Sequence, residues 1–319
     1  MKHLVVNDYG TFLGIRDGML AVRDKDKSEK LFPLNRLKSV SIAKRGISLS
    51  SDLVEHFSER GIKLFFLGFK GTCQAALIGS VRHGVVQTRM AQYRYTVSDT
   101  LPLAAKIIVA KIKNQRSVLS YFARHHKHDI LEKAKDDLKE QAKRAKESKN
   151  MEELLGHEGV SARYYFNALK AAELFSSSFN GRIGRGSHEI NNSMLNFGYA
   201  ILSSYILAAI ENAGLEPYLG VIHTQRPGKM SLVLDIMEEY RAWVVDRAVI
   251  KLRSQYHDLE SLTPIIKQKL ITEIHKTCEK KYPYHQGKLS LEHIIQRQVY
   301  RLSGCFAQQK TYRPYLFKW

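Results

Sequence analysis

Apolar positions along the chain change rhythm near residue 80. Up to that point short β-branched and aromatic runs, "HLVVND", "TFLGIRDGMLAVRD", "KLFPL", "SVSIA" and "IKLFFLG", alternate with turn residues such as Asp8-Tyr9-Gly10 and Asp17-Gly18. Runs of that length and composition predict strands. One interruption, "SSDLVEHFSERG", reads as a short amphipathic helix opened by Ser or Asp and closed by Gly61. From about Val85 onward the apolar residues recur at helical spacing, as in "LAAKIIVAKIKNQRSVLSYFARHH", "SARYYFNALKAAELFSSSF", "NSMLNFGYAILSSYILAAIENAG" and "RAWVVDRAVIKLRSQY". The expectation is an α+β chain, with a small β-rich N-terminal domain over 1–82 and a larger all-α domain over 83–319. Within the helical part, "HKHDILEKAKDDLKEQAKRAKESKN" is strongly charged with few apolar anchors and reads as an exposed arm. "AAELFSSSFNGRIGRGSHE" contains a Gly/Ser-rich, mobile loop, and no internal repeat stands out.

Composition narrows the functional class. The 44% hydrophobic content of 319 residues suffices for two packed cores and argues against disorder. No apolar run approaches the length needed to cross a bilayer, about 20 residues, and the N-terminus lacks the pattern of a signal peptide. Cys73, Cys278 and Cys305 are scattered without C-x-x-C spacing, the usage of a reducing cytoplasm. Fifty Lys and Arg against 31 Asp and Glu leave a net charge of +19, spread through the chain and not gathered in a tail. A broad electropositive surface favours nucleic acid as partner.

Three segments carry candidate chemistry. In "ELLGHEGVSARYYFNAL", Glu158 precedes an amphipathic stretch that includes Tyr165; a lone acid there also suits a helix dipole. In "EINNSMLNFGYAILSS", Asn192 and Asn196 stand i, i+4 on one helical face, which suits hydrogen bonding to a loop, a catalytic shell or a neighbouring helix. "VIHTQRPGKMSLVLDIMEEYR" sets His223 before a Pro227-Gly228 turn, with Asp235 and Glu238 at i, i+3 on the following helix. Glu239 points about 100 degrees away from Glu238. A histidine with carboxylates is a mixed N/O set suited to Mn²⁺ and tolerant of Mg²⁺. Arg226 and Lys229, in the intervening loop, are candidates for phosphate contact.

Taken in order, these segments resemble the CRISPR-associated adaptation integrases, the Cas-one family. "GIKLFFLGFKG" resembles the end of that family's β-domain, and "AKIIVAKIKNQRSVL" its helix ending in Lys-x-x-Asn-Gln. "LLGHEGVSARYYFNAL", "NNSMLNFGYAIL" and "HTQRPGKMSLVLDIMEEYR" are similar to its Glu-Gly, Asn-containing and histidine-acidic motifs, and "YRPYLFKW" to its close. The resemblance implies Glu158, His223 and Glu238 as ligands of one Mn²⁺ or Mg²⁺, with Asp235 as a further catalytic acid that supports or shares the site. His223 and Glu238 are fifteen residues apart, as the motif requires. One departure is Glu189-Ile190, where the family commonly has Asp-Pro; it leaves the conformation of the preceding loop open. Asn192 and Asn196 become supporting residues, and Tyr165 is either a phosphate contact or a packed tyrosine.

The chemistry so implied is phosphodiester transesterification. The 3′-hydroxyl of a short double-stranded DNA fragment attacks a phosphate at the edge of a CRISPR repeat, and water in its place gives cleavage. The resemblance further implies a homodimer through the β-domain and a larger assembly with the small Cas-two protein, in the cytoplasm and without a membrane. Two alternatives are a general metal-dependent DNA nuclease and a non-catalytic DNA-binding scaffold.

Overall fold

The structure is a computed structural model that describes residues 3–68, 73–77, 79, 85–125, 129–184 and 187–317. The expected domain boundary at 82/83, Arg185 and Gly186 of the Gly/Ser-rich loop, and Lys318 and Trp319 of the closing motif lie outside the described residues.

The N-terminal part contains strands β1 (His3–Val6), β2 (Phe12–Arg16), β3 (Met19–Arg23), β4 (Glu29–Pro33), β5 (Ser39–Ile42) and β6 (Ser48–Leu49), helix α1 (Ser51–Glu59), and strands β7 (Lys63–Leu67) and β8 (Cys73–Leu77). Two four-stranded sheets result, ordered β4-β3-β2-β6 and β1-β5-β7-β8. Asp17 and Gly18 join β2 to β3 with φ of 50° and 69°. Positive φ at both central residues is the two-residue hairpin turn whose twist matches its strands, which is why an Asp-Gly pair sits there. Strands β5 and β7 are parallel, and α1 makes the crossover between them. Leu53 and Phe57 of α1 are fully buried in a core shared with Leu13, Leu20, Val40 and Leu64.

The helical part follows as α2 (Val85–Thr96), α3 (Leu101–His125), α4 (Asp129–Glu147), α5 (Met151–Ala171), α6 (Ile190–Asn212), α7 (Ser231–Met237), a π-helical turn at Arg241–Asp246 running into α8 (Arg247–Lys251), α9 (Pro264–Glu279) and α10 (Leu291–Phe306). It also includes an antiparallel hairpin, β9 (Lys281–Tyr284) with β10 (Gly287–Ser290), which helical periodicity does not reveal.

Helix α6 is the axis of this part, in contact with α7, α9, α10, the π-helical turn and the sheet strands β5, β7 and β8. Its 23 residues make it the one described helix long and apolar enough to cross a membrane, contrary to the reading that no such run exists, and 94% of its most apolar window is buried inside the fold. A helix apolar all round is what a core axis requires. Gly198 lets α6 approach the π-helical turn closely, since a Cβ there would collide with Val245.

Helix α4 corrects a second expectation. It is no exposed arm: Leu131, Ala134, Leu138, Ala142 and Ala145 form a buried stripe against α3 and α5. Small alanines carry that stripe, so a count of large apolar residues undervalues it. The charged remainder of α4 is the solvated face.

Candidate active site

Helix α3 supplies Lys111, α5 supplies Glu158, and the turn ending α7 supplies Glu238. The three side chains meet. Lys111 Nζ donates to Glu158 Oε1 and lies 2.7 Å from Glu238 Oε2. Arg241, one turn beyond Glu238, reaches its Oε1 at 3.1 Å. Glu238 Oε2 is buried but accepts no well-directed hydrogen bond, so its contact with Lys111 is ionic and not directional.

These cations set the titration of Glu238. Burial alone pushes its carboxyl up, but Arg241, Lys111 and His223 together outweigh burial and hold it at about 2. Burial likewise works against the Lys111 ammonium, yet Glu238 and Glu158 raise it above the ordinary lysine range.

His223 is positioned by Asp235. Its Nδ1 lies 2.6 Å from Asp235 Oδ1, which also accepts the His223 backbone N–H at 3.0 Å. Asp235 Oδ2 accepts the N–H groups of Val221 at 2.6 Å and Ile222 at 3.1 Å. Those contacts use the acceptor capacity of a carboxylate. Asp235 is fully buried, and these contacts all run to the 221–223 segment that carries the histidine. In the neutral ring, a carboxylate at Nδ1 favours the tautomer with the proton there, which leaves the Nε2 lone pair for a ligand. Gly220 makes the arrangement possible, because a Cβ at that position would strike Asp235 Oδ2.

Among the described residues no group of three or more His, Cys, Asp and Glu side chains is closed around a space for a metal ion. The donor chemistry nevertheless fits one. Glu158 and Glu238 converge on a single cation, the Lys111 ammonium. His223 is near enough for its charge to act on Glu238.

The remaining sequence candidates fall outside that point. Asn192 and Asn196 pin the loop before α6: Arg182 donates to their Oδ1 atoms at 2.9 and 2.7 Å, and their amides donate to Gly181 O at 3.0 Å and Gly184 O at 2.6 Å. Glu189 replaces the family's Asp-Pro pair as a working N-cap, accepting from Asn191 N at 2.8 Å and Asn192 N at 2.9 Å. Tyr165 is no surface phosphate contact. It is fully buried against Phe166, with a ring separation of 5.1 Å, and burial with Asp246 nearby keeps its hydroxyl well above the usual range. Arg226 and Lys229 flank a Pro227-Gly228 turn closed by Lys229 N to Arg226 O at 3.0 Å, with Gly228 at φ 74°. Arg226 is exposed and Lys229 half-buried.

Sequence reasoning missed Lys111 and Arg241. The signal for Lys111 was present: it stands in the stripe of α3 that buries Ala104, Ile107, Ile108, Gln115, Val118 and Leu119, a poor place for lysine without an acidic partner.

The family model "CRISPR associated protein Cas1" matches residues 4–260. The chain belongs to the Cas1 family. A curated Cas1, the "CRISPR-associated endonuclease Cas1 1" of Francisella tularensis subsp. novicida (strain U112), is 59% identical over 319 residues, covering 100% of both chains. A Cas1 of the same description from Pyrobaculum aerophilum is 31% identical over 320 residues, covering 98% of this chain and 99% of the relative. Among solved structures, a Cas1 protein from Thermotoga maritima matches with a TM-score of 0.78 at 19% identity, over 98% of this chain and 99% of that one. A casposase bound to integration product matches at 0.82 and 23% identity, over 97% of this chain and 92% of that one. The Cas6-RT-Cas1–Cas2 complex matches at 0.81 and 20% identity, over 99% of this chain and 36% of that one. At these identities the structural likenesses establish the Cas1 fold.

Proposed function

We propose that this Cas1 family member is a metal-dependent DNA integrase and endonuclease of CRISPR adaptation. The observation that carries the reading is the convergence of Glu158 and Glu238 on one cation beside a histidine held by Asp235. Glu158, Glu238 and His223 Nε2 would hold Mn²⁺ or Mg²⁺, two hard oxygen donors and one imidazole suiting either ion. When bound, that ion supplies Lewis-acid stabilisation of charge developing on the phosphate.

The chain's own residues do the rest. Asp235 fixes the face of His223, Arg241 holds one oxygen of Glu238 at 3.1 Å, and the Pro-Gly turn presents Arg226 toward solvent as a backbone-phosphate contact. Asn192 and Asn196 hold the 181–184 loop as supporting residues. The net charge of +19 favours double-stranded DNA with 3′-OH ends and CRISPR repeat DNA as substrates. The curated relatives named as CRISPR-associated endonucleases, the casposase with its integration product and the complex of Cas1 with Cas2 support this reading. A homodimer bridged by a Cas2 partner, in a reducing cytoplasm, belongs to the same proposal.

The test mixes the purified protein with a 3′-OH fragment, repeat DNA and Mn²⁺, with and without the Cas2 partner. Joined product is expected, and it should disappear in Glu158→Ala and His223→Ala. Cleavage without joining would identify a general nuclease. Joining and cleavage unchanged in both variants would overturn the metal site.

A further inference from the structure

We propose that Lys111 is a placeholder for the metal ion: its ammonium holds Glu158 and Glu238 together in the metal-free protein, and metal binding requires it to leave. The proposal rests on the metal-site reading above and goes beyond it, because it assigns Lys111 a role in metal affinity and in the stability of the metal-free protein.

The geometry carries the argument. Lys111 Nζ donates to Glu158 Oε1 and stands 2.7 Å from Glu238 Oε2, so it occupies the point on which both carboxylates converge. A divalent ion bound by the same oxygens and the ammonium cannot share that point, since like charges a few ångströms apart repel strongly away from bulk water. The metal-free site is balanced in charge: the carboxylates of Glu158 and Glu238 are matched by Lys111 and Arg241. Without Lys111 the two glutamates, one on α5 and one in the turn ending α7, with Glu238 only 5% exposed, would repel and spread. Lys111 is therefore a positioning residue. It keeps the two carboxylates assembled until metal arrives, at the expense of competing with that metal. Its four-carbon stem, 13% exposed, gives the ammonium a route off the carboxylates without unfolding α3. Once displaced, the ammonium remains beside the site as an uncommitted cation, suited to a phosphate oxygen.

Two measurements on the full chain, stripped of metal by a chelator, test the proposal. Mn²⁺ binding is followed by the electron paramagnetic resonance signal of the free ion in wild type, Lys111→Met and Glu158→Gln. Removing a cation that competes for the same two carboxylates should tighten Mn²⁺ binding about tenfold or more in Lys111→Met. The same variant should melt at lower temperature than wild type without metal and recover with Mn²⁺. The second measurement needs no variant. Lysine-selective acetylation read by mass spectrometry should modify Lys111 of the wild type slowly without metal and several-fold faster with saturating Mn²⁺. Faster labelling supports the placeholder even if Lys111→Met does not fold. Unchanged or slower labelling overturns it, as does equal or weaker Mn²⁺ binding in a folded Lys111→Met. The underlying metal-site reading fails separately, if Glu158→Gln binds Mn²⁺ as wild type does.

Discussion

Glu238 and Glu239 are adjacent, both buried, and face opposite neighbourhoods. Glu238 looks into the candidate site, where Lys111 lies 2.7 Å from one oxygen and Arg241 3.1 Å from the other. Glu239 looks toward the C-terminal segment, where its carboxylate accepts from Tyr312 Oη and from Tyr315 N at 3.0 Å. Burial raises both carboxyls. Full cationic charges outweigh it for Glu238, held at about 2, whereas a hydroxyl and one backbone N–H do not for Glu239, pushed up to about 7. Two glutamates one residue apart thus differ in role: one is an anion kept ready for a cation, the other an anchor for the tail. Asn114 reinforces the anchor, donating to Glu239 O at 2.8 Å and Tyr315 O at 3.0 Å and accepting from Phe317 N at 3.0 Å.

The largest effect should come from breaking the site side. Glu238→Ala removes a proposed metal ligand and is expected to lower DNA joining and cleavage about a thousandfold, the several kcal/mol a polarising ion provides. A gel assay with labelled DNA in Mn²⁺ checks it, and near-wild-type product would break the assignment. The two glutamates should also titrate in opposite senses. Glu238, with its folded-state pKa depressed, contributes stability that is present above about pH 4.5 and lost as pH falls toward 2. Glu239 has its pKa raised, so the folded state binds more protons than the unfolded chain between about pH 4.5 and 7, and stability falls as pH rises through that window. The fall attributable to Glu239 is on the order of 3 kcal/mol. Denaturant midpoints across pH in chelated wild type and Glu239→Gln should show it in the former and not in the latter.

Local pattern made part of this contrast legible. Helical spacing set Asp235 and Glu238 on one side and turned Glu239 away, while the Asn192/Asn196 spacing left a loop, a catalytic shell and a neighbouring helix open, of which the structure shows loop contacts. What stayed hidden depends on long-range packing. Lys111 and Glu158 are 47 residues apart, and Glu239 and Tyr315 are 76 apart, with no local rule to pair them. The π-helical turn after Tyr240 also escapes a period of 3.6, although it carries Arg241 and Asp246. Lys-x-x-Asn-Gln was readable only as a mark of resemblance. Folded, it joins the two neighbourhoods: Lys111 faces Glu238, and Asn114 holds the tail beside Glu239.

A subtler way to sharpen the contrast leaves every ligand in place. Asp235→Asn keeps the shape but puts an amide donor in place of one of the two oxygens that share four N–H donors, so two of them lose their acceptor and His223 loses part of its fixed orientation. Groups that orient a metal-binding histidine are worth about ten- to hundredfold in affinity or activity. Mn²⁺ titration should show a loss of that size, below that of Glu238→Ala.

The smallest change belongs on the tail side. Tyr312→Phe deletes the hydroxyl that donates to Glu239 and leaves its ring in the core, so packing is kept while one buried hydrogen bond to a carboxyl is lost. The expected cost is about 1–2 kcal/mol in urea unfolding. Joining per folded molecule should stay at the wild-type level, because Glu238, Lys111 and Arg241 meet on the other side of the chain. The missing donor should also push the Glu239 carboxyl further up, since the Tyr312 hydrogen bond is one of the two that work against burial there. The stability decline with pH would then extend to higher pH than in wild type. If Tyr312→Phe instead weakened Mn²⁺ binding as strongly as Asp235→Asn does, the tail and the site would be coupled through the Glu238-Glu239 backbone, and the separation of the two glutamates into independent roles would not hold.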